Sequence, residues 1–168
     1  MISSKYVIFS CIVLMTAITS CDSSQVYDQY QTVAGAWDKD TKIEFDLPEL
    51  DSTRPYNLFF NLRNTNKYKF SNLYLISEMK FPNGKIVTDT LEYQMTHADG
   101  SWLGTGFTDL KENKLIYKEN FTFVEKGSYQ VILQHAMRKN GQTDGLDQLE
   151  GIADVGFRIE FSESVNPE

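Results

Sequence analysis

Thiols and imidazoles are nearly absent from this chain of 168 residues, which holds two cysteines and two histidines. Cys11 lies inside an apolar N-terminal run and Cys21 stands at the end of it. The remainder therefore has no disulfide, no thiolate nucleophile and no cysteine metal ligand. His97 and His135 are too few for a three-histidine metal centre within one chain. Basic clusters are missing as well: 16 Lys and Arg face 23 Asp and Glu, a net charge of −7. Without clustered cations the chain is not expected to bind nucleic acid or to cling electrostatically to an anionic membrane. No serine has the G-x-S-x-G context of a nucleophile elbow. No apolar run reaches the ~20 residues that cross a bilayer as a helix, and no helical stripe of any length recurs. Catalytic and metal-binding residues are expected to be none, and so are cofactors and small-molecule substrates.

What is present begins at the N-terminus. Lys5 precedes the apolar run Tyr6 to Thr19, which ends in Ile18-Thr19-Ser20-Cys21. A charged start, a short apolar stretch and small residues at its exit are the marks of a secretory signal peptide. The last four residues resemble a bacterial lipobox, in which cleavage leaves an acylated cysteine as the first mature residue. Each buried methylene contributes about 0.8 kcal/mol, so two or more acyl chains hold a protein stably on a membrane. Cys21 is the expected lipidation site, with the chain divided as follows: residues 1–20 a lipoprotein signal peptide, 21–36 a lipidated N-terminus and polar tether, 37–162 one domain, 163–168 a flexible C-terminus.

Within 37–162, apolar residues fall at every second position, the period of half-buried strands. Ile43, Phe45 and Leu47 share a face, as do Tyr56, Leu58, Phe60 and Leu62. Leu73, Leu75, Met79 and Phe81 form another set, followed by Asn83-Gly84 as a hairpin signal and by Val87, Leu91 and Tyr93. Leu115, Tyr117, Phe121 and Phe123 align, then Tyr129, Val131, Leu133 and Met137, then Ala153, Val155, Phe157, Ile159 and Phe161. Seven or more one-sided strands bury themselves by closing face to face, which predicts an all-β antiparallel sandwich, immunoglobulin-like or jelly-roll-like. The polar pieces 109–114 and 145–151 are expected to form short helical turns in loops.

Candidate sites are sparse. His135 shares the face of Val131 and Leu133, so a core role suits it better than ligation; His97 beside a turn is expected in solvent. Asp38 to Asp40 and Asp144 to Asp147 lack the spacing of a calcium loop. The least ordinary stretch is GSWLGTGFTDL, residues 100–110, where Gly104 and Gly106 interrupt a strand pattern and point to a bulge or a close backbone approach. Trp102 beside them reads as a core anchor or as an exposed interaction surface for sugar or protein; large aromatics dominate sandwich interiors, which favours the core.

Taken together, CDSSQVYDQYQTVAGAWDKD, YNLFFNLRNTNKYKFSNLYL, FPNGKIVTDTLEYQM, GSWLGTGFTDLKENKLIYKENFTF, GSYQVILQHAMR and LEGIADVGFRIE resemble the gliding-motility lipoprotein GldH family over nearly the whole of Cys21 to Glu160. The resemblance implies a non-enzymatic cell-envelope lipoprotein, membrane-bound through its lipid, that supports gliding motility and the associated type IX secretion apparatus. Its partners would be other proteins of that machinery. No catalytic motif comes with the family, and Cys21 is the one position carried over. The alternative from another class is a carbohydrate-binding β-sandwich lipoprotein.

Overall fold

The computed structural model describes residues 24–162. Ten strands and no helix are found among them: β1 (Gln25–Thr32), β2 (Ala36–Asp38), β3 (Ile43–Asp46), β4 (Tyr56–Asn64), β5 (Asn72–Lys80), β6 (Ile86–Gln94), β7 (Lys111–Phe121), β8 (Gln130–His135), β9 (Gln148–Glu150) and β10 (Ile152–Phe161). One four-stranded sheet has the order β1-β10-β4-β7, the other β3-β8-β5-β6, and β2 pairs with β9 in a two-stranded ribbon. All pairings are antiparallel. Apart from β2 and β9, the strands alternate between sheets except at the β5–β6 hairpin. First, last, third and sixth form one layer, and second, seventh, fourth and fifth the other. That order is a jelly roll, which decides between the two sandwich topologies.

Period-2 patterning accounts for the core. Burial in β5 alternates without a break, with Leu73, Leu75 and Met79 fully inside. Its hairpin to β6 turns at Asn83-Gly84, where Gly84 has φ 86° and the Phe81 amide donates to the Lys85 carbonyl at 2.8 Å. Phe157 of β10 stands at the centre between the layers, its ring 5.5 to 6.5 Å from those of Phe60, Phe45, Tyr27 and Tyr117. In the outer half of β7, the register against β4 shifts near Tyr56 and Leu58, and Asn120 takes φ 53°. Past these irregularities Phe123 lies in the core and Phe121 packs, partly buried, against it.

Three expectations change. The segment 109–114 is not a helical turn, because Lys111 onward is the first part of β7. Its alternation is hidden by Asn113, which takes a core position and satisfies its amide by donating to the Leu62 carbonyl and Asn64 Oδ1. The segment 145–151 is likewise extended: Leu149 is buried in β9 opposite Trp37 of β2. The stretch 21–36, expected as tether, contributes β1, whose Tyr27 reaches the core and whose length pairs with β10. Cys21, the expected signal peptide 1–20 and the segment 163–168 lie outside the described residues.

The sandwich has two distinct ends. At one, Gln25 pairs with Glu160, Glu160 with Asn57, and the Phe161 amide donates to the Ser24 carbonyl. Ring contacts, stacked at Phe161–Tyr56 and edge-on or tilted beyond, continue that end across the layers from Phe161 through Tyr56, Phe123 and Tyr129 to Phe81. At the opposite end lie the connections 65–71, 95–110 and 136–147. The nine residues of β4 separate the two ends by about 27 Å.

Candidate functional surface

The connection 95–110 is fastened along its length yet carries an unburied aromatic tip. Leu103 N–H donates to the Met95 carbonyl at 3.0 Å, and Thr105 and Glu112 exchange both main-chain hydrogen bonds at 2.9 and 2.8 Å. Lys111 Nζ donates to the Gly106 carbonyl at 2.8 Å, and Asn66 donates to Asp109 at 2.9 Å. Gly104 permits this seating: a Cβ there would stand 2.9 Å from the Glu112 carbonyl oxygen and closer still to Asn113 Oδ1. The expected close backbone approach is thus an edge pairing on β7. Phe107, held out by this frame, is wholly exposed at 109% of its reference area, with Leu103 at 42% and Leu110 at 38% in the same connection. Burying a phenyl ring is worth about 2–3 kcal/mol, a gain left unrealised in the free domain and open to a partner.

Trp102 bridges to Thr96 and packs, half-buried, with its ring 6.2 Å from that of Tyr68. It supports the root of the loop from beneath. The fully buried tryptophan is Trp37, whose indole N–H donates to the Thr41 carbonyl at 3.0 Å. Sequence reasoning passed over both Trp37 and Phe107. Trp37 sits in a three-residue strand with no alternation to mark it, and Phe107 differs from core phenylalanines only in its glycine-rich, aspartate-bearing neighbourhood.

Beside this loop, on the outer face of β5 and β6, runs an open cleft of about 750 Å³. Phe70, Tyr74 and Ile76 give it an apolar wall, and Asn72, Thr90 and Arg138 supply polar groups. Asn72 donates to Glu92 at 3.0 Å. This bond and the one from the Tyr74 hydroxyl hold the Glu92 carboxyl below its usual range, and the Glu92 carboxylate raises the phenol of Tyr74. His97 lines the adjoining hollow and is exposed, as expected. The acidic loops are tied into the fold: Asp147 pairs with Lys39, and Asp38 accepts from Gln148 and from the Asp40 amide. Among the described residues no three His, Cys, Asp or Glu side chains group as metal ligands.

His135 is buried, its ring edge-on to Trp37 at 5.5 Å, and neither nitrogen has a well-formed hydrogen bond. Burial lowers its pKa below 6.5; the nearby Trp37 main chain and Asp38 charge oppose this without cancelling it. As pH falls below ~6.5 the unfolded chain takes up a proton that the folded one refuses, so stability is lost. Thermal melts between pH 7.5 and 5.5 should show the midpoint falling with acidity. A His135→Leu variant should show a flatter dependence over that window, whatever its absolute stability; an equal slope would contradict the assignment.

The fold and surface define a class, a jelly-roll β-sandwich bearing a braced aromatic loop and a shallow cleft at one end. The chain belongs to the GldH lipoprotein family, whose model matches residues 25–159. It is 53% identical over 161 residues to a gliding motility lipoprotein GldH homolog of Christiangramia forsetii, covering 96% of this chain and 99% of that one. It is also 53% identical over 151 residues to the gliding motility lipoprotein GldH of Flavobacterium johnsoniae, covering 89% and 94%. Among solved structures, the infectious bursal disease virus VP2 subviral particle matches at TM-score 0.37 and 16% identity, over 84% of this chain and 34% of that one.

Proposed function

We propose that this protein is a lipid-anchored, non-enzymatic component of the cell envelope that supports gliding motility and the associated type IX secretion apparatus by docking other proteins of that machinery. The observation that carries the reading is the 53% identity, over nearly the full length of both chains, to a relative named for gliding motility. Acylation of Cys21 supplies the anchor. Tethering confines the domain to a thin layer and raises its effective concentration near other envelope proteins, so modest contacts suffice. The Phe107 tip is the docking element. In a strain lacking the gene, a Phe107→Asp variant expressed at the normal level and with an unchanged melting temperature should fail to restore colony spreading. Restoration equal to the unaltered protein would refute docking through this loop.

The cleft walled by Phe70 and Tyr74 favours a second reading, carbohydrate binding, because an aromatic face flanked by amide and guanidinium groups suits a sugar ring. Loss of glycan retention in a Tyr74→Ala variant, with spreading intact, would favour it over the first.

A further inference from the structure

The position of Cys21 relative to β1 fixes more than attachment. Ser24 is already held by the fold, through its carbonyl and the Phe161 amide at 2.9 Å. Three residues of chain from Cys21 to Ser24 span at most about 10 Å. A tether that short keeps one corner of the sandwich at the lipid surface, and two faces adjoin that corner: the end carrying Ser24, and the flank where β1 stands beside β3.

The flank is an unfavourable support. Gln29, Gln31 and Glu44 are exposed along it, Asp46 adds a second acid, and none of the exposed large apolar side chains lies on β1 or β3. The end differs in carrying exposed apolar side chains between lysines. Val124 and Ile86 are exposed there at 69% and 53%, beside exposed Lys85 and Lys126. Of its acids, Asp51 accepts from the Thr53 amide and hydroxyl and Glu125 accepts from Asn83 at 2.7 Å, while Glu49 and Glu119 are exposed. Aliphatic tips between lysines suit a phospholipid headgroup layer, with apolar contact and amine–phosphate pairing side by side.

We infer that the domain stands on the bilayer with its Ser24 end, including Val124, Ile86, Lys85 and Lys126, against the lipid headgroups, and holds the Phe107 loop about 27 Å away at the opposite end. This rests on acylation of Cys21. Because the acylated cysteine has no free thiol, single cysteines can be placed at Lys126→Cys, Glu44→Cys and Thr108→Cys in the full-length lipoprotein and labelled with a fluorophore. The labelled protein is reconstituted into phosphatidylethanolamine–phosphatidylglycerol vesicles containing a lipid with a nitroxide on its headgroup. Strong loss of emission at position 126, weaker loss at 44 and none at 108 is expected. Greater quenching at 44 than at 126, or quenching at 108, would overturn the orientation. Failure of the protein to float with the vesicles would instead remove the lipid anchor itself, and the orientation with it. Should quenching at 126 persist in a doubly substituted Val124→Ser, Ile86→Ser protein, the tether alone sets the orientation; a fall there with a rise at 44 shows that these side chains choose the face.

Discussion

Truncating Phe157 to alanine will cost the domain about 3–5 kcal/mol. The side chain is fully buried and its ring meets four others: Phe60 and Tyr27 from the strands on either side, Tyr117 from β7 of the same sheet, and Phe45 from the facing layer. No neighbour can swing into the space, because each ring is itself packed in the interior. Single domains commonly hold only 5–15 kcal/mol in total, so the variant will be marginal at 37 °C. Urea unfolding should show a lower midpoint with an unchanged slope. The matching control is Phe107→Ala, the same chemical change at a wholly exposed site, which should stay within about 0.5 kcal/mol of the parent. Equal losses at the two positions would contradict the placement of Phe157 at the centre.

Gly151→Ala is expected to be as damaging for a different reason. Gly151 joins β9 to β10 with φ 86°, donates its N–H to the Gly35 carbonyl, and accepts from the Thr65 amide, both at 2.8 Å. A Cβ there would stand 2.1 Å from the Tyr68 amide nitrogen and 2.6 Å from the Lys67 carbonyl carbon. Both are backbone atoms, so no rotamer change relieves the clash, and the turn holding the Thr65–Tyr68 segment must move. The left-handed conformation alone costs a residue with a Cβ about 1–2 kcal/mol. Gly141 isolates that part, since it has φ 78° with nothing within 4 Å of an added methyl. Gly141→Ala should therefore lose about 1 kcal/mol, and Gly151→Ala at least about 3 kcal/mol or fail to accumulate folded. Similar midpoints for the two variants would show that the tight seat at Gly151 is not as described.

These two sites also mark what the sequence conveyed. The strand containing Phe157 was legible because apolar residues recur at every second position from Ala153 to Phe161, as they do along one face of β3, β4, β5 and β8. The Asn83-Gly84 turn fixed one hairpin by the same local logic. β1 was not legible: its single deeply buried side chain, Tyr27, is surrounded by glutamines and aspartate, and its pairing with β10 depends on residues 130 positions away. β2 and β9 are too short for any period to show. The start of β7 was misread because a buried asparagine, satisfied by hydrogen bonds that no linear pattern reveals, occupies a core position. The glycine-broken stretch 100–110 was recognisable as unusual, yet whether Trp102 or Phe107 faces solvent depends on Tyr68 and β7 lying beneath the loop. The choice of jelly roll over immunoglobulin order follows from which strands cross between layers, which alternation does not encode.

The proposed role and orientation both depend on the acyl group at Cys21. Intact-mass spectrometry of the protein extracted from membranes with detergent tests it directly. The expected result is a chain beginning at Cys21 that carries the added mass of glyceryl-linked and amide-linked fatty acids. A chain of unmodified mass beginning elsewhere, recovered without detergent, would contradict it.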